Sequence, residues 1–197
     1  MDSKSDFSQG SIRRLIVRMA VPITLGQLIN LLYNIVDRIY IGHTENGRLA
    51  LTGIGVTLPI ISIIMAFASI GATGGAPLFS MARGRGDEKE AGHILGNTFS
   101  MLAFFGVVLS VAFFIFRKPL LYLFGASDDV FPYADAYLSI FLVGTLFVTL
   151  GLGLNPFIHA QGFRLIGMLT VIIGAVINII LDPIFIFLFD MGVQGAA

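Results

Sequence analysis

Five apolar stretches, parted by short clusters of polar, charged, Gly and Pro residues, run along the chain at about residues 15–41, 49–80, 94–116, 136–158 and 166–189. A helix needs about 20 apolar residues to cross roughly 30 Å of hydrocarbon, so each stretch is long enough to span a bilayer. The pattern predicts an all-α fold. It is a polytopic membrane helix bundle of five transmembrane helices, with residues 1–14 as a polar tail and 15–197 as the bundle.

The polar positions inside these stretches are few and ordered. The first carries Gln27, Asn30, Tyr33, Asn34 and Asp37 at helical spacing, so one face of it is not built for lipid. Pro22 is the expected place for a bend in it. The second carries Pro59, Pro77, Gly71, Gly74 and Gly75, and reads as a bent helix packed closely on its neighbours. The third is mostly Phe and Val and is expected to end at Arg117-Lys118-Pro119. Asn155-Pro156 is expected to break or kink the fourth near its end.

In the fifth stretch Asn178 and Asp182 stand one helical turn apart on the same face, and Pro183 deprives the Ile179 carbonyl of its helical partner. A carboxylate at bilayer depth costs at least about 2.5 kcal/mol, so it faces a protein interior or a water cavity and marks a transport or proton pathway.

Composition agrees: 56% of the 197 residues are hydrophobic and 12% charged, and mean hydropathy is +0.89. Net charge is zero and no basic stripe is present, which argues against a nucleic-acid partner. The absence of cysteine excludes disulfides and thiolate chemistry. No signal-peptide cleavage pattern precedes the first stretch, which is expected to be retained as a spanning helix. Eight of the twelve Lys and Arg residues (Lys4, Arg13, Arg14, Arg18, Arg83, Arg85, Lys89 and Arg164) fall on the side of the N-terminus, which is therefore expected to be cytoplasmic. Counted from Arg18 and Arg164, Asp37 and Asp182 lie about 29 and 27 Å along their helices at 1.5 Å per residue, and so reach similar depths.

Several motifs, in order, carry a family resemblance. They are Asn34-Ile-Val-Asp37-Arg-Ile-Tyr-Ile-Gly42 followed by Leu49-Ala50, Gly84-Arg-Gly86-Asp87 with Ala91, and Leu123-Phe-Gly-Ala-Ser127 with Pro132-Tyr-Ala134 and Tyr137-Leu138. Asn155-Pro-Phe157 through Gln161-Gly162, and Asn178-Ile-Ile-Leu-Asp-Pro-Ile-Phe185 through Gly192 to Ala197, complete them. Together they resemble the multidrug and toxic compound extrusion (MATE) family of cation-coupled efflux transporters.

The resemblance implies half of a twelve-helix transporter: five helices of a first six-helix lobe, truncated before helix six, with a C-terminal lobe of the same chain as partner. It implies an antiporter, not an enzyme, that sits in the plasma membrane and exports organic cations, drugs and toxic compounds. Carried over, the family's first-lobe cation site maps onto Asp37, Asn178 and Asp182, with H+ or Na+ as the coupling ion and no other cofactor. Hard oxygen donors suit Na+, and a proton could take the same carboxylates. Asn30, Tyr33, Asn34 and Asn155 are candidate cavity or supporting residues.

Simpler readings stand beside these. Asp182 before Pro183 could close a helix, Asp37 could pair with Arg38 or Arg48 at the interface, and the asparagines could tie helices together. Arg85-Gly86-Asp87 matches an adhesion tripeptide by coincidence. A lipid-linked oligosaccharide flippase of related architecture would call for basic cavity residues, whereas the internal charges here are acidic. A membrane-embedded hydrolase lacks its motifs, and a non-transporting scaffold remains the other alternative.

Overall fold

A computed structural model describes residues 12–44, 46–189 and 191–196. The tail up to position 11, and the side chains of Arg13, Arg14, Arg18, Pro22 and Arg164, lie outside the described residues. Among the described residues there are six α-helices: α1 (Ile12–Gly42), α2 (Gly47–Ile70), α3 (Ala76–Gly84), α4 (Glu88–Leu123), α5 (Phe131–Ala160) and α6 (Arg164–Pro183). A π-helical turn, Gly71–Gly75, joins α2 to α3 into one long rod. A second π turn, Ile184–Leu188, extends α6, and a 3-10 turn, Gly192–Ala196, follows. No strand occurs among the described residues.

Four of these rods (Gly47–Gly84, Glu88–Leu123, Phe131–Ala160 and Leu165–Leu188) are long and apolar enough to cross a membrane. The remaining one, α1, has the length at 31 residues and carries the polar positions noted above. The outward faces of α4 and α5 expose Phe104, Val111, Ile115, Val143 and Phe147, as lipid-facing surfaces do.

The helices outrun their expected ends for local reasons. Asp87 caps α4 by accepting the Glu90 backbone N–H at 2.8 Å, so that helix starts six residues before the expected position 94. The Arg85-Gly86-Asp87 tripeptide is thus a turn and cap, with Gly86 at φ +79°. Arg117-Lys118-Pro119 does not end the helix. It continues to Leu123, because Pro119 forfeits only one ladder bond while Arg117 reaches across to Asp135 on α5 at 2.7 Å. Pro132 stands in the first turn of α5, where its missing N–H costs nothing, so that helix begins at Phe131. Nor does Asn155-Pro156 break α5, which runs on to Ala160.

The core lies where α2, α4 and α5 meet. Ile60, Ile64, Leu121, Leu138 and Leu142 are fully buried there. Small residues permit the approach: a methyl group on Gly71 would stand 2.5 Å from the Gly153 carbonyl oxygen, and one on Gly106 2.6 Å from Thr149 Oγ1. α1 and α6 form a separate pair that leans on this core. Ile41, Ala50, Ile54, Ile186 and Val193 join the two at one end.

Candidate cation site between α1 and α6

Two helices that pack side by side bring Asp37 and Asp182 together. Asp182 closes the last turn of α6, immediately before Pro183 and the π turn, and is only 3% exposed. Asp37 is partly buried on the face of α1 that also presents Tyr33, Val36 and Tyr40. The two carboxylates, Tyr33 of α1 and Tyr137 of α5 are near enough to act on one another electrostatically, and Arg38 acts on Asp37 and Tyr137. Asn178 lies one turn before Asp182 on α6 and is also partly buried.

The hydrogen-bond inventory gives this cluster its chemistry. Asp37 Oδ1, Asn178 Oδ1 and Asp182 Oδ2 are buried oxygens that accept no hydrogen bond. A buried acceptor left unpaired costs about 1–3 kcal/mol, and more when it is charged. Three such oxygens on two neighbouring helices form an acceptor set that calls for a positive ion or a proton. The described residues hold no group of three His, Cys, Asp or Glu side chains suited to a metal, so the donors are two carboxylates and an amide. Such hard oxygens suit Na+.

The surroundings hold the pair in place. Ile41, one turn beyond Asp37, and Ile186, one turn beyond Asp182, are both fully buried in one cluster. Tyr40 and Phe187 meet edge to face, with ring centroids 6.3 Å apart. Gly195 of the 3-10 turn sits against the Phe185–Ile186 backbone, where a methyl group would come within 2.8 Å of the Phe185 carbonyl carbon.

The remaining predicted residues divide. Asn34 does not join the carboxylates: it is exposed and donates to the Asn30 carbonyl at 2.7 Å, with the Asn30 side-chain oxygen at 3.3 Å. Position 34 turns away because Tyr33 and Asp37 occupy the packed side of the helix. Asn155 also stands apart, its Nδ2 donating to Thr170 Oγ1 at 2.8 Å and to the Gly167 carbonyl at 3.3 Å. It ties the C-terminal end of α5 to the N-terminal part of α6, about 12 Å along the helix from Asn178. Tyr137 is the residue that sequence reasoning missed as a site member. Its pointers were a hydroxyl-bearing ring in an apolar span and its place in the Tyr137-Leu138 motif.

A family model described as MatE matches residues 22–184. The chain belongs to the MatE family. Among MatE relatives, the multidrug export protein MepA of Staphylococcus haemolyticus is 30% identical over 191 residues, covering 97% of this chain and 42% of its own length. MepA of Staphylococcus aureus strain N315 is 26% identical over 193 residues, with the same coverage. The chain thus spans less than half the length of the curated MatE relatives it matches.

Solved MATE structures share the fold. A crystal structure of MATE in complex with MaD3S superposes with a TM-score of 0.90 at 24% identity, over 100% of this chain and 44% of that one. An outward-facing multidrug resistance MATE family transporter gives 0.89 at 24% identity, over 100% and 43%. With its long apolar helices and bacterial MatE relatives, this is a multi-pass plasma-membrane protein.

Proposed function

We propose that the chain forms the first lobe of a cation-coupled antiporter that exports organic cations and drugs, and that Asp37, Asn178 and Asp182 bind the coupling ion, H+ or Na+. The observation that carries this reading is the trio of buried, unbonded oxygens on α1 and α6. A cation between the two helices satisfies all three and draws α1 toward α6. Without it, two carboxylates within electrostatic reach repel each other and loosen the contact. That difference in affinity between two packings of α1 is what coupling requires.

The substrate cavity lies, on this reading, beside the exposed polar positions of α1: Gln27, Asn30, Asn34 and Arg38. Amides and a guanidinium at these depths are costly against lipid and well placed against water or a second lobe. The 42% coverage of the MepA relative supports a second lobe as the other wall. A flippase for pyrophosphate-linked lipids is less well supported, because the buried charges are acidic.

The test is efflux of a lipophilic cation from energised cells expressing the protein, under imposed Na+ and proton gradients. Asp37→Asn keeps the shape and removes one charge, and is expected to abolish gradient-driven export. Wild-type coupling in both Asp37→Asn and Asp182→Asn would assign these residues to structure instead.

A further inference from the structure

At the C-terminal end of α1, the α1–α2 turn, the start of α5 and the segment after α6 enclose an open cleft of about 660 Å³. Its polar lining is His43, Thr44, Asn46, Tyr133 and Gln194, and no Asp, Glu, Lys or Arg stands among its described lining residues. Its apolar lining includes Ile186 and Val193, which are only 2% and 6% exposed. These two are wall of the cleft on one side and part of a buried cluster on the other.

That cluster lies next to the carboxylates. Ile186 stands four residues after Asp182, and Ile41, fully buried in the same cluster, four residues after Asp37, each about 6 Å along its helix at 1.5 Å per residue. Apolar side chains of α1, the π turn and the 3-10 turn thus stand between an open cleft and three buried oxygens that accept no hydrogen bond. An apolar constriction blocks an ion for as long as water stays out of it. Its parts ride on irregular backbone. Ile186 sits in the π turn that starts two residues after Asp182, and such turns recur at functional positions in helices. Val193 follows Gly192, whose φ of +52° suits glycine and strains other residues.

A cation has one other approach, along the exposed polar face of α1. Arg38 is exposed there and acts electrostatically on Asp37. A cation on that route meets a positive charge before it meets the carboxylate, as it does in pores that use an Arg to exclude cations. The cleft sets no such charge in its way among its described lining residues.

We propose that the cleft is the vestibule through which the coupling ion reaches Asp37 and Asp182, with Ile41, Ile186 and Val193 as its gate. This rests on the coupling-ion reading of the two carboxylates and adds the route.

The test uses the absence of cysteine from the chain. Asp182→Cys, in lipid nanodiscs, places a single thiol at the end of the route, and Ag+, a soft monovalent cation that thiolates bind tightly, is the probe. The rate at which Ag+ protects this thiol from a maleimide added after denaturation reads access. Ile186→Ala opens the gate and should speed the reaction severalfold. Met191→Trp fills the cleft at a lining position that is 38% exposed, and should slow it severalfold. Misfolding would expose the thiol and speed the reaction, so it does not account for slowing. A thiol introduced by Asn34→Cys on the exposed face of α1, tested in place of Asp182→Cys, should keep its rate in both variants. A rate at position 182 that ignores Ile186→Ala and Met191→Trp, or that rises with Arg38→Gln instead, would overturn the proposal. The readout is access, not export. A closed cleft therefore leaves the carboxylates able to take a cation from the α1 side, and a failure of coupling shows in the efflux assay and not in this rate.

Discussion

Asn155 on α5 donates through Nδ2 to Thr170 Oγ1 on α6 at 2.8 Å, and Thr170 donates in turn to the Gly167 carbonyl at 2.7 Å. Close by, the His159 ring covers Gly167, where a methyl group would stand 2.5 Å from His159 Cε1. Asn155→Ala should lower stability by about 0.6 kcal/mol, and at most about 2, the range for hydrogen bonds between membrane helices. Gly167→Ala should cost more, about 1–3 kcal/mol, because the ring or the helix must shift. Unfolding midpoints in mild detergent check both, and Asn155→Ala should keep more of the export than Asp37→Asn does.

The unbonded oxygens predict a linkage between ion and stability. If Na+ is the coupling ion, adding it in place of a bulky organic cation should raise the thermal midpoint of the wild-type chain, since a ligand that binds only the folded state stabilises it. Asp37→Asn should remove that response. Asp182→Asn should reduce it less, because Asp37 keeps a full charge beside Asn178. A midpoint insensitive to Na+ in the wild type, with a response to acid instead, selects the proton.

Two glycines in the same π turn should behave oppositely. Gly71→Ala pushes a methyl group against the Gly153 carbonyl oxygen and should cost about 1–3 kcal/mol. Gly74 has nothing within 4 Å, so Gly74→Ala should be neutral or slightly stabilising. Parallel thermal melts of the two variants decide it.

The pair between Arg117 and Asp135 is about one-third exposed on the Arg side and somewhat less on the Asp side, and the guanidinium also sits 4.5 Å from the Phe114 ring centroid. Arg117→Ala should cost about 1 kcal/mol, and Arg117→Lys roughly half of it, because Lys keeps the charge but loses the planar stack. The loss should shrink in high salt, which a melt at two ionic strengths measures.

The helix count and helix identities were legible because apolar stretches of membrane length leave few alternatives, whereas the meeting of α1 with α6 came only from the family resemblance, since spacing along single helices does not show which two pack together. Helix ends were less legible. Pro119 read as an end and Pro156 as a break or kink, yet both helices run on, because an apolar bundle absorbs one lost ladder bond when its neighbours hold the helix on both sides. That Asn34 stands off the carboxylates was not legible, because periodicity alone groups positions 30, 33, 34 and 37, and only packing shows that the contact face runs through 33 and 37. Tyr137 was invisible as a site member, since nothing along one helix reports what a different helix brings beside it.

The π turn at Gly71–Gly75 also bears on how the chain tolerates change in length. An i→i+5 turn accommodates one more residue than an i→i+4 turn, so the long α2–α3 rod carries a spare residue at this point. Removing one of Ala72, Thr73 or Gly74 should convert the bulge into ordinary helix, while the buried faces on either side keep their neighbours. A deletion anywhere else between Gly47 and Gly84 rotates one half of the rod by about 100° against the other and turns buried side chains toward lipid. A single-residue deletion scan, read by expression and membrane insertion, should therefore find its tolerant positions inside this turn.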